Sequence, residues 1–248
     1  MLAKVASTAE SPRYELLEAP HSLSQQAERS RAPIGEGAHN DGCGVAWLSG
    51  EELRSVRRGP GAAWDLSLRQ RVGMLETPAL IAHNRRASPG LAIDVSLAHP
   101  YTIGFRGEEV AFCHNGRVDS LMTEARERKI TDTMVFLERL VSRVGHLDLR
   151  DIQEFLAETS EGCPEASLNG LLLSKTGVFA WRWHGDTDQY KFDSDRYFGL
   201  HLRETADRVC LASEPLDDAR GWVVIPNRTL IHIRNSHSLV ETVELRVK

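Results

Sequence analysis

The chain has 248 residues, a length that suits one large domain or two small ones. Its apolar fraction of 41% and charged fraction of 26% are typical of a globular protein. A net charge of −5 excludes the strongly basic composition of nucleic-acid-binding domains. No apolar run reaches the roughly 18 residues of a membrane span, and the N-terminus lacks the charged-then-apolar pattern of a secretory signal. We therefore expect a cytoplasmic protein with neither a nucleic-acid nor a membrane partner.

The cysteine pattern excludes two further classes. The four cysteines show no Cys-x-x-Cys spacing, which argues against a zinc site and against a disulfide scaffold. Two of them, Cys113 and Cys210, lie in apolar, strand-like runs, where a buried reduced thiol is the usual state. We predict no metal site and no cofactor.

The first half of the chain mixes strands with helices. Apolar runs predict strands at 1–7, 42–48, 79–83 and 110–113, and short helices at 23–29 and 65–74. Between the first helix and the second strand, residues up to 41 carry no period and indicate a long loop. The strongest helical spacing covers 131–144, and a second helix is predicted over 149–159 with Asp148 as its cap.

From Leu168 onward the sequence predicts mainly strands. Short apolar runs recur, separated by Gly, Asn, Asp or Pro, at 171–173, 178–181, 197–200, 209–212, 222–225, 230–233 and 240–247. Strands, then a helix pair, then more strands indicate a layered α+β fold. Because no linker composition and no repeat interrupts the chain, we expect residues 1–248 to form a single domain.

A polar segment follows the strand at 110–113 and reads His114-Asn115-Gly116. A side-chain amide and a backbone N–H at such a turn could hold an oxygen that becomes negative during acyl transfer. The alternative is an ordinary hairpin, because Asn-Gly is also the commonest two-residue hairpin turn.

Three other polar positions could have either a binding role or a purely structural one. Arg85 follows an apolar strand and could bind a carboxylate through two hydrogen bonds, or lie on the surface. Asp132 could pair with an ammonium group, or serve with Thr131 to cap the strongest helix. Ser213-Glu214-Pro215-Leu216 is, taken alone, a turn after a strand. One cation, one anion and an oxyanion turn would together hold a glutamine-like substrate.

These segments, in this order, resemble the class II glutamine amidotransferases of the N-terminal-nucleophile hydrolase type, in particular the stand-alone YafJ-like and ergothioneine-pathway amidohydrolase branch. Further segments match the same pattern: Asn40 to Trp47, Ala82 to Ser88, His99-Pro100-Tyr101, Thr131-Asp132-Thr133 and Leu168 to Leu172.

The resemblance implies a four-layer αββα sandwich and a set of site residues. Asn115 and Gly116 would form the oxyanion hole. The substrate-binding set would comprise Arg85 for the α-carboxylate, Asp132 for the α-ammonium, and Ser88 and His114. The ligand would be glutamine or a γ-glutamyl small molecule. An ammonia acceptor, where there is one, would belong to a separate synthase subunit.

The family nucleophile, an N-terminal cysteine, does not occur near the start of this sequence. Met1-Leu2-Ala3-Lys4-Val5 aligns with the residues that follow Met-Cys-Arg in the family, so we expect the cysteine just upstream of Met1. The leading hypothesis is a glutamine amidotransferase or γ-glutamyl amide hydrolase that acts through a thioester.

Two alternatives remain open. One is a catalytically inactive protein that has lost the nucleophile and binds a glutamine-like ligand or acts as a scaffold. The other is a cysteine protease that uses Cys43 or Cys113 with a nearby His, although Cys113 lies within a strand and Cys43 is set among glycines with no evident base.

Overall fold

The computed structural model describes residues 1–30, 39–61, 63–87, 92–163, 167–185, 197–235 and 240–245. The strands are β1 (Leu2–Glu10), β2 (Cys43–Ser49), β3 (Glu52–Arg58), β4 (Thr77–Asn84), β5 (Tyr101–Phe105), β6 (Glu108–Arg117), β7 (Ser167–Ser174), β8 (Gly177–Arg182), β9 (His201–Glu204), β10 (Arg208–Ala212), β11 (Val223–Val224), β12 (Thr229–Arg234) and β13 (Val240–Glu244). The α-helices are α1 (Leu23–Glu28), α2 (Leu66–Gly73), α3 (Met122–Arg128), α4 (Asp132–Arg143) and α5 (Leu149–Gly162). A short π-helical segment covers Tyr14–Glu18.

The strands form two antiparallel sheets. The first sheet has seven strands in the order β11-β9-β10-β1-β4-β2-β3, and the second has six in the order β13-β12-β8-β7-β6-β5. Strand β1 is central in the first sheet, between β10 and β4, and β6 lies between β5 and β7 in the second. Both strands therefore have neighbours on each side that fix their register.

Alternation of side chains along the strands divides the apolar residues into three cores. Met1, Ala3 and Val5 pack between the sheets with residues of β6, β7 and β8. Leu2 faces the other way, toward Leu16 and Leu23 of the first helical layer. On the far side, β6 and β8 pack against α4 and α5. Helices, sheet, sheet and helices are the four layers of an αββα sandwich, so the predicted fold is confirmed.

The helices α4 and α5 begin at side-chain caps. The Thr131 Oγ1 accepts a hydrogen bond from the Met134 N–H at 3.1 Å, and the Asp148 Oδ1 accepts one from the Asp151 N–H at 2.9 Å. Each cap satisfies a backbone donor that the first helical turn leaves without a partner. Thr131 therefore is the cap residue, and Asp132 is the first residue inside the helix.

Two predicted segments differ in the structure. His114, Asn115 and Gly116 are not a turn or a hairpin, because β6 continues through them and stays paired with β7 as far as Arg117. The predicted strand at 197–200 is also absent, and β9 starts only at His201. The Phe198 carbonyl accepts hydrogen bonds from two side chains instead, those of Asn169 and Arg182.

No helix in the described part of the chain is long and apolar enough to cross a membrane.

Candidate active site

The predicted site lies between the two sheets, at the end where β1 begins. Ile81 of β4 packs in the core between the sheets, so His83 and Arg85 point to the same face. Cys113 of β6 also packs there, and Asn115 follows it on that face. The Met1 amine lies close enough to Cys113 for the two to interact electrostatically. The start of β1 and the ends of β4 and β6 therefore lie at the same end of the two sheets, and the region that they border is called the cleft.

Gly116 has a backbone that only glycine can adopt at this position. Its φ is +149°, and an added Cβ would lie 2.0 Å from the Ser167 carbonyl oxygen. Gly116 is paired with Leu168, whose N–H donates to the carbonyl of Trp183, the residue that follows β8. In an antiparallel pair this directs the Gly116 N–H away from β7, to the side where β5 has already ended. That N–H is thus directed away from the ladder and can serve as an oxyanion donor.

Asn115 supplies the second donor of the predicted oxyanion hole. Its side chain is half-buried, and it forms no hydrogen bond with any described residue. Because it lies next to Gly116 and faces the cleft, an amide N–H and a backbone N–H are available at adjacent positions. This is the arrangement that stabilises a developing negative oxygen.

Asp132 is the first residue of α4 and is 6% exposed. Its Oδ2 accepts a hydrogen bond from the Val118 N–H at 2.8 Å, which ties the start of α4 to the end of β6. Its Oδ1 has no hydrogen-bond partner among the described residues. One carboxylate oxygen thus anchors the residue, and the other remains available to an ammonium group.

Arg85 is 4% exposed and is held in place by its backbone. Its N–H donates to the Gly42 carbonyl at 2.8 Å, and its Nη2 donates to the Ala92 carbonyl at 3.1 Å. Its Nη1 is buried with no hydrogen-bond partner. Buried polar groups are almost always paired, so this guanidinium nitrogen has the capacity to bind an anion.

The other two predicted substrate-binding residues have different outcomes. His114 lies on the helix-facing side of β6, with its ring nearly parallel to those of Phe112 and Phe136 at centroid distances of 6.3 and 6.1 Å. Its two ring nitrogens are 3.1 Å from Thr133 Oγ1 and 2.8 Å from the Ser167 carbonyl oxygen. Its position gives no support to direct contact with a substrate, and it instead links β6 to α4. Ser88 lies outside the described residues.

Two histidines that the sequence did not single out as site residues lie beside Arg85. The rings of His83 and His99 meet edge to face with centroids 4.5 Å apart. Burial holds the pKa of each well below its ordinary value, so both are neutral at neutral pH. The His83 Nδ1 and both His99 nitrogens are buried without a hydrogen bond. The segments Ala82 to Ser88 and His99-Pro100 carried these residues in the sequence, but without a pattern that assigned them a role.

The cysteines of the described chain do not suit a nucleophile. Burial raises the pKa of the Cys43 thiol to about 11 and that of the Cys113 thiol to about 12. Burial raises the pKa of Cys210 as well. All four cysteines are buried, and these three remain protonated thiols at neutral pH. The cysteine protease alternative therefore finds no activated thiolate at Cys43 or Cys113.

The segment Ser213-Glu214 lies beside the start of β1. The Met1 amine donates to the Ser213 Oγ at 2.9 Å, and the Ser213 N–H donates to the Met1 carbonyl at 3.0 Å. Burial lowers the pKa of the Met1 amine, while Cys113 and Glu214 act in the opposite direction. Ser213 and Glu214 thus fix the position of the first residue of the chain within the cleft.

Comparison with known proteins assigns the family. Residues 19–181 match the model of the class-II glutamine amidotransferases, and the chain belongs to this family. The predicted family, and with it an enzyme of the amidohydrolase class, is confirmed.

Curated relatives extend over most of the chain. It is 29% identical over 229 residues to the gamma-glutamyl-hercynylcysteine sulfoxide hydrolase of Mycolicibacterium smegmatis, an alignment that covers 91% of each protein. It is 28% identical over 221 residues to the protein of the same name from Mycobacterium tuberculosis H37Rv, covering 88% of this chain and 85% of that one.

Solved structures share the fold. The glutamine phosphoribosylpyrophosphate amidotransferase of B. subtilis matches with a TM-score of 0.66 at 15% identity. The match covers 100% of this chain but 49% of the B. subtilis protein, so this chain spans about half its length. A class-II domain protein from Silicibacter pomeroyi matches with a TM-score of 0.61 at 16% identity and covers 99% of both chains. At these identities the similarity shows the fold alone.

Proposed function

We propose that the protein is a γ-glutamyl amide hydrolase that acts through a thioester, with its nucleophilic cysteine located just before Met1. The proposal is supported by a set of polar groups, at the ends of β4 and β6 and at the first residue of α4, that have no hydrogen-bond partner among the described residues. These groups are the buried Arg85 Nη1, the amide of Asn115 and the Asp132 Oδ1. Together they offer a cation, an oxyanion donor and an anion to one small molecule.

The register of β1 supports a nucleophile upstream. Leu2 pairs with Ala82 on β4, so Met1 lies opposite His83 and a residue two positions earlier would lie opposite Arg85. By strand alternation its side chain would face the cleft between the sheets, as the side chain of Met1 does. A cysteine at that position would therefore point toward both Arg85 and Asn115.

The chemistry follows from these positions. Arg85 would hold the α-carboxylate and Asp132 the α-ammonium of the γ-glutamyl group, which leaves the γ-carbonyl at the end of β6. Attack by the cysteine thiolate on that carbonyl forms a tetrahedral oxyanion, which the Asn115 amide and the Gly116 N–H stabilise. Collapse of the oxyanion expels ammonia or an amine and leaves a thioester. Water then hydrolyses the thioester to glutamate and restores the thiol.

The names of the curated relatives guide the choice of substrate. Both are named for hydrolysis of a γ-glutamyl sulfoxide compound, which supports γ-glutamyl amides as substrates of this protein beside glutamine itself. We further propose that residues 1–248 form one catalytic domain, and that a separate synthase subunit supplies the ammonia acceptor where there is one. A reducing cytoplasm suits its four buried thiols.

Extension of the chain tests this function. Three proteins are compared for release of glutamate from glutamine and from a γ-glutamyl peptide: residues 1–248, the same chain preceded by Met-Cys-Arg, and a matched control preceded by Met-Ser-Arg. We expect turnover only with the cysteine extension. Turnover by residues 1–248 alone would overturn the assignment of the nucleophile, and no gain on extension would overturn the hydrolase.

A glutamine-binding protein without catalysis is the second candidate. It is favoured by one observation, that the binding groups are intact although Cys43, Cys113 and Cys210 are protonated thiols. Calorimetry on residues 1–248 would then show glutamine binding that the Arg85→Ala variant abolishes. If the cysteine extension leaves the protein inactive while this binding persists, the binding function replaces the hydrolase.

A further inference from the structure

We propose that Asn169 is a positioning residue for the oxyanion hole, because its fully committed amide leaves the amide of Asn115 available to the substrate. This inference rests on the proposed function for its role in catalysis. Its structural premise, an unbonded Asn115 amide beside a fully bonded Asn169 amide, is independent of catalysis and can be measured on its own.

Asn169 lies directly opposite Asn115 in the β6–β7 pair. Since the Leu168 N–H donates away from β6, to the carbonyl of Trp183, the backbone of Asn169 points to β6 and the two asparagines form a hydrogen-bonded pair. Both side chains face the cleft between the sheets, on the face that Cys113 and Leu171 share. Side chains of such a pair have their Cβ atoms about 4.5–5.5 Å apart, so their amides are within reach of each other.

Both polar atoms of the Asn169 side-chain amide form hydrogen bonds. The residue is completely buried, and its Nδ2 donates to the Phe198 carbonyl at 2.8 Å. Its Oδ1 accepts from the Trp183 N–H at 3.0 Å. The Arg182 Nε donates to the same Phe198 carbonyl at 2.9 Å and fixes this acceptor from a second side. Asn169 is therefore held in one orientation by contacts to two segments of the chain.

The consequence concerns Asn115. The side chain most able to accept from its Nδ2 is the one directly opposite, and that side chain has its oxygen engaged elsewhere. The Asn115 amide thus keeps its donors for the substrate carbonyl oxygen, and no bond has to break when the oxyanion forms. A donor that is oriented before the reaction is the more effective one.

Two substitutions of similar size separate this role from simple packing. Asn169→Asp keeps an acceptor for the Trp183 N–H but replaces the Nδ2 donor with a second oxygen. The Phe198 carbonyl oxygen repels this second oxygen, which can turn to accept from the Asn115 amide. Asn169→Leu removes both hydrogen bonds of the side chain but offers no acceptor, and Arg182 still satisfies the Phe198 carbonyl. If Asn169 positions Asn115, the Asn169→Asp variant should lose more activity than Asn169→Leu. If Asn169 only fills space in the core, Asn169→Leu should lose at least as much activity as Asn169→Asp.

The first measurement uses residues 1–248 and needs no activity. Hydrogen exchange of the Asn115 side-chain amide, followed by NMR, should be fast in the parent protein and in Asn169→Leu. It should be slowed about tenfold or more in Asn169→Asp, where a charged acceptor bonds the amide. Slow exchange in the parent would overturn the proposal. It would equally be overturned by unchanged exchange in a folded Asn169→Asp variant.

The second measurement uses the Met-Cys-Arg-extended protein. Asn169→Asp should lower kcat about tenfold or more with KM within about threefold, and Asn169→Leu should keep kcat within about threefold of the parent. In the Asn115→Ala background, Asn169→Asp should cause no further loss of kcat. Additive losses of kcat in the double variant, or a larger loss of kcat in Asn169→Leu than in Asn169→Asp, would overturn the proposal.

If Asn169→Asp does not fold, the parent exchange rate and the kcat of Asn169→Leu decide. An inactive extended parent would refute the proposed function, and the exchange measurement would still decide the structural premise.

Discussion

Replacement of Asn115 by alanine probes the oxyanion hole in the Met-Cys-Arg-extended protein. The side chain is half-buried and forms no hydrogen bond with a described residue, so its loss should change the free energy of unfolding by no more than about 0.5 kcal/mol. In the transition state it is expected to donate to the oxyanion. Loss of one such donor costs about 2.7–4 kcal/mol, which corresponds to a decrease of about 10²–10³ in kcat.

The assay is the steady-state rate of glutamate release, combined with a denaturant unfolding curve for each protein. KM should stay within about threefold of the parent value, because Arg85 and Asp132 keep their contacts with the α-carboxylate and the α-ammonium. Asn235→Ala is a control for loss of an asparagine side chain away from the site, since Asn235 follows the far end of β12, beyond Arg234, which pairs with Gly177 at the start of β8. Its Nδ2 donates to the Lys175 carbonyl at 2.7 Å, so we expect a loss of stability but not of kcat. Its kcat should equal that of the parent.

Two results would refute the reasoning on Asn115. A kcat within about threefold of the parent would show that the side chain is not an oxyanion donor. If kcat decreases and the free energy of unfolding also falls by several kcal/mol, Asn115 stabilises the fold instead.

Three further substitutions test the other groups of the site. Arg85→Lys should raise KM about tenfold or more and change kcat little, because an ammonium cannot form the two parallel hydrogen bonds of a guanidinium. An unchanged KM in steady-state assays would show that Arg85 does not bind the carboxylate. Asp132→Asn keeps an oxygen that accepts from the Val118 N–H, so the free energy of unfolding should change little. KM should rise about tenfold or more because the negative charge is lost, and a KM near the parent value would show that Asp132 does not pair with the ammonium. Gly116→Ala should lower the free energy of unfolding in denaturant by about 2–5 kcal/mol, because Gly116 has a φ of +149° and the alanine Cβ would overlap the Ser167 carbonyl. An unchanged unfolding midpoint would contradict the described backbone.

Much of the secondary structure could be predicted from local patterns. The predicted helix at 131–144 is observed as Asp132–Arg143, and the helix at 149–159 is observed as Leu149–Gly162 with the predicted Asp148 cap. Both have a clear apolar spacing and a capping side chain, so local and tertiary preferences agree. Strand β3 was missed because its sequence, Glu52 to Arg58, is mostly charged, and it is stabilised by pairing with β2 rather than by burial.

The sequence predicts site residues where polar segments border apolar runs. Arg85 and Asn115 follow strands and Asp132 begins a helix, and their roles in the site stay predictions. The helix-facing orientation of His114 could not be predicted, because a turn and a continuing strand would direct its ring to different faces. The neutral pair of His83 and His99 depends on contact between β4 and the segment before β5, which no local sequence pattern reveals.

Trapping the covalent intermediate tests the central claim most directly. The Met-Cys-Arg-extended protein is mixed with excess glutamine, quenched in acid during turnover and measured by intact mass, with the Met-Ser-Arg protein as the control. We predict a mass increase of one γ-glutamyl group, located by peptide mapping on the added cysteine and lost on treatment with hydroxylamine. Turnover without any such adduct, or an adduct on Cys43 or Cys113, would contradict a thioester formed at the start of β1.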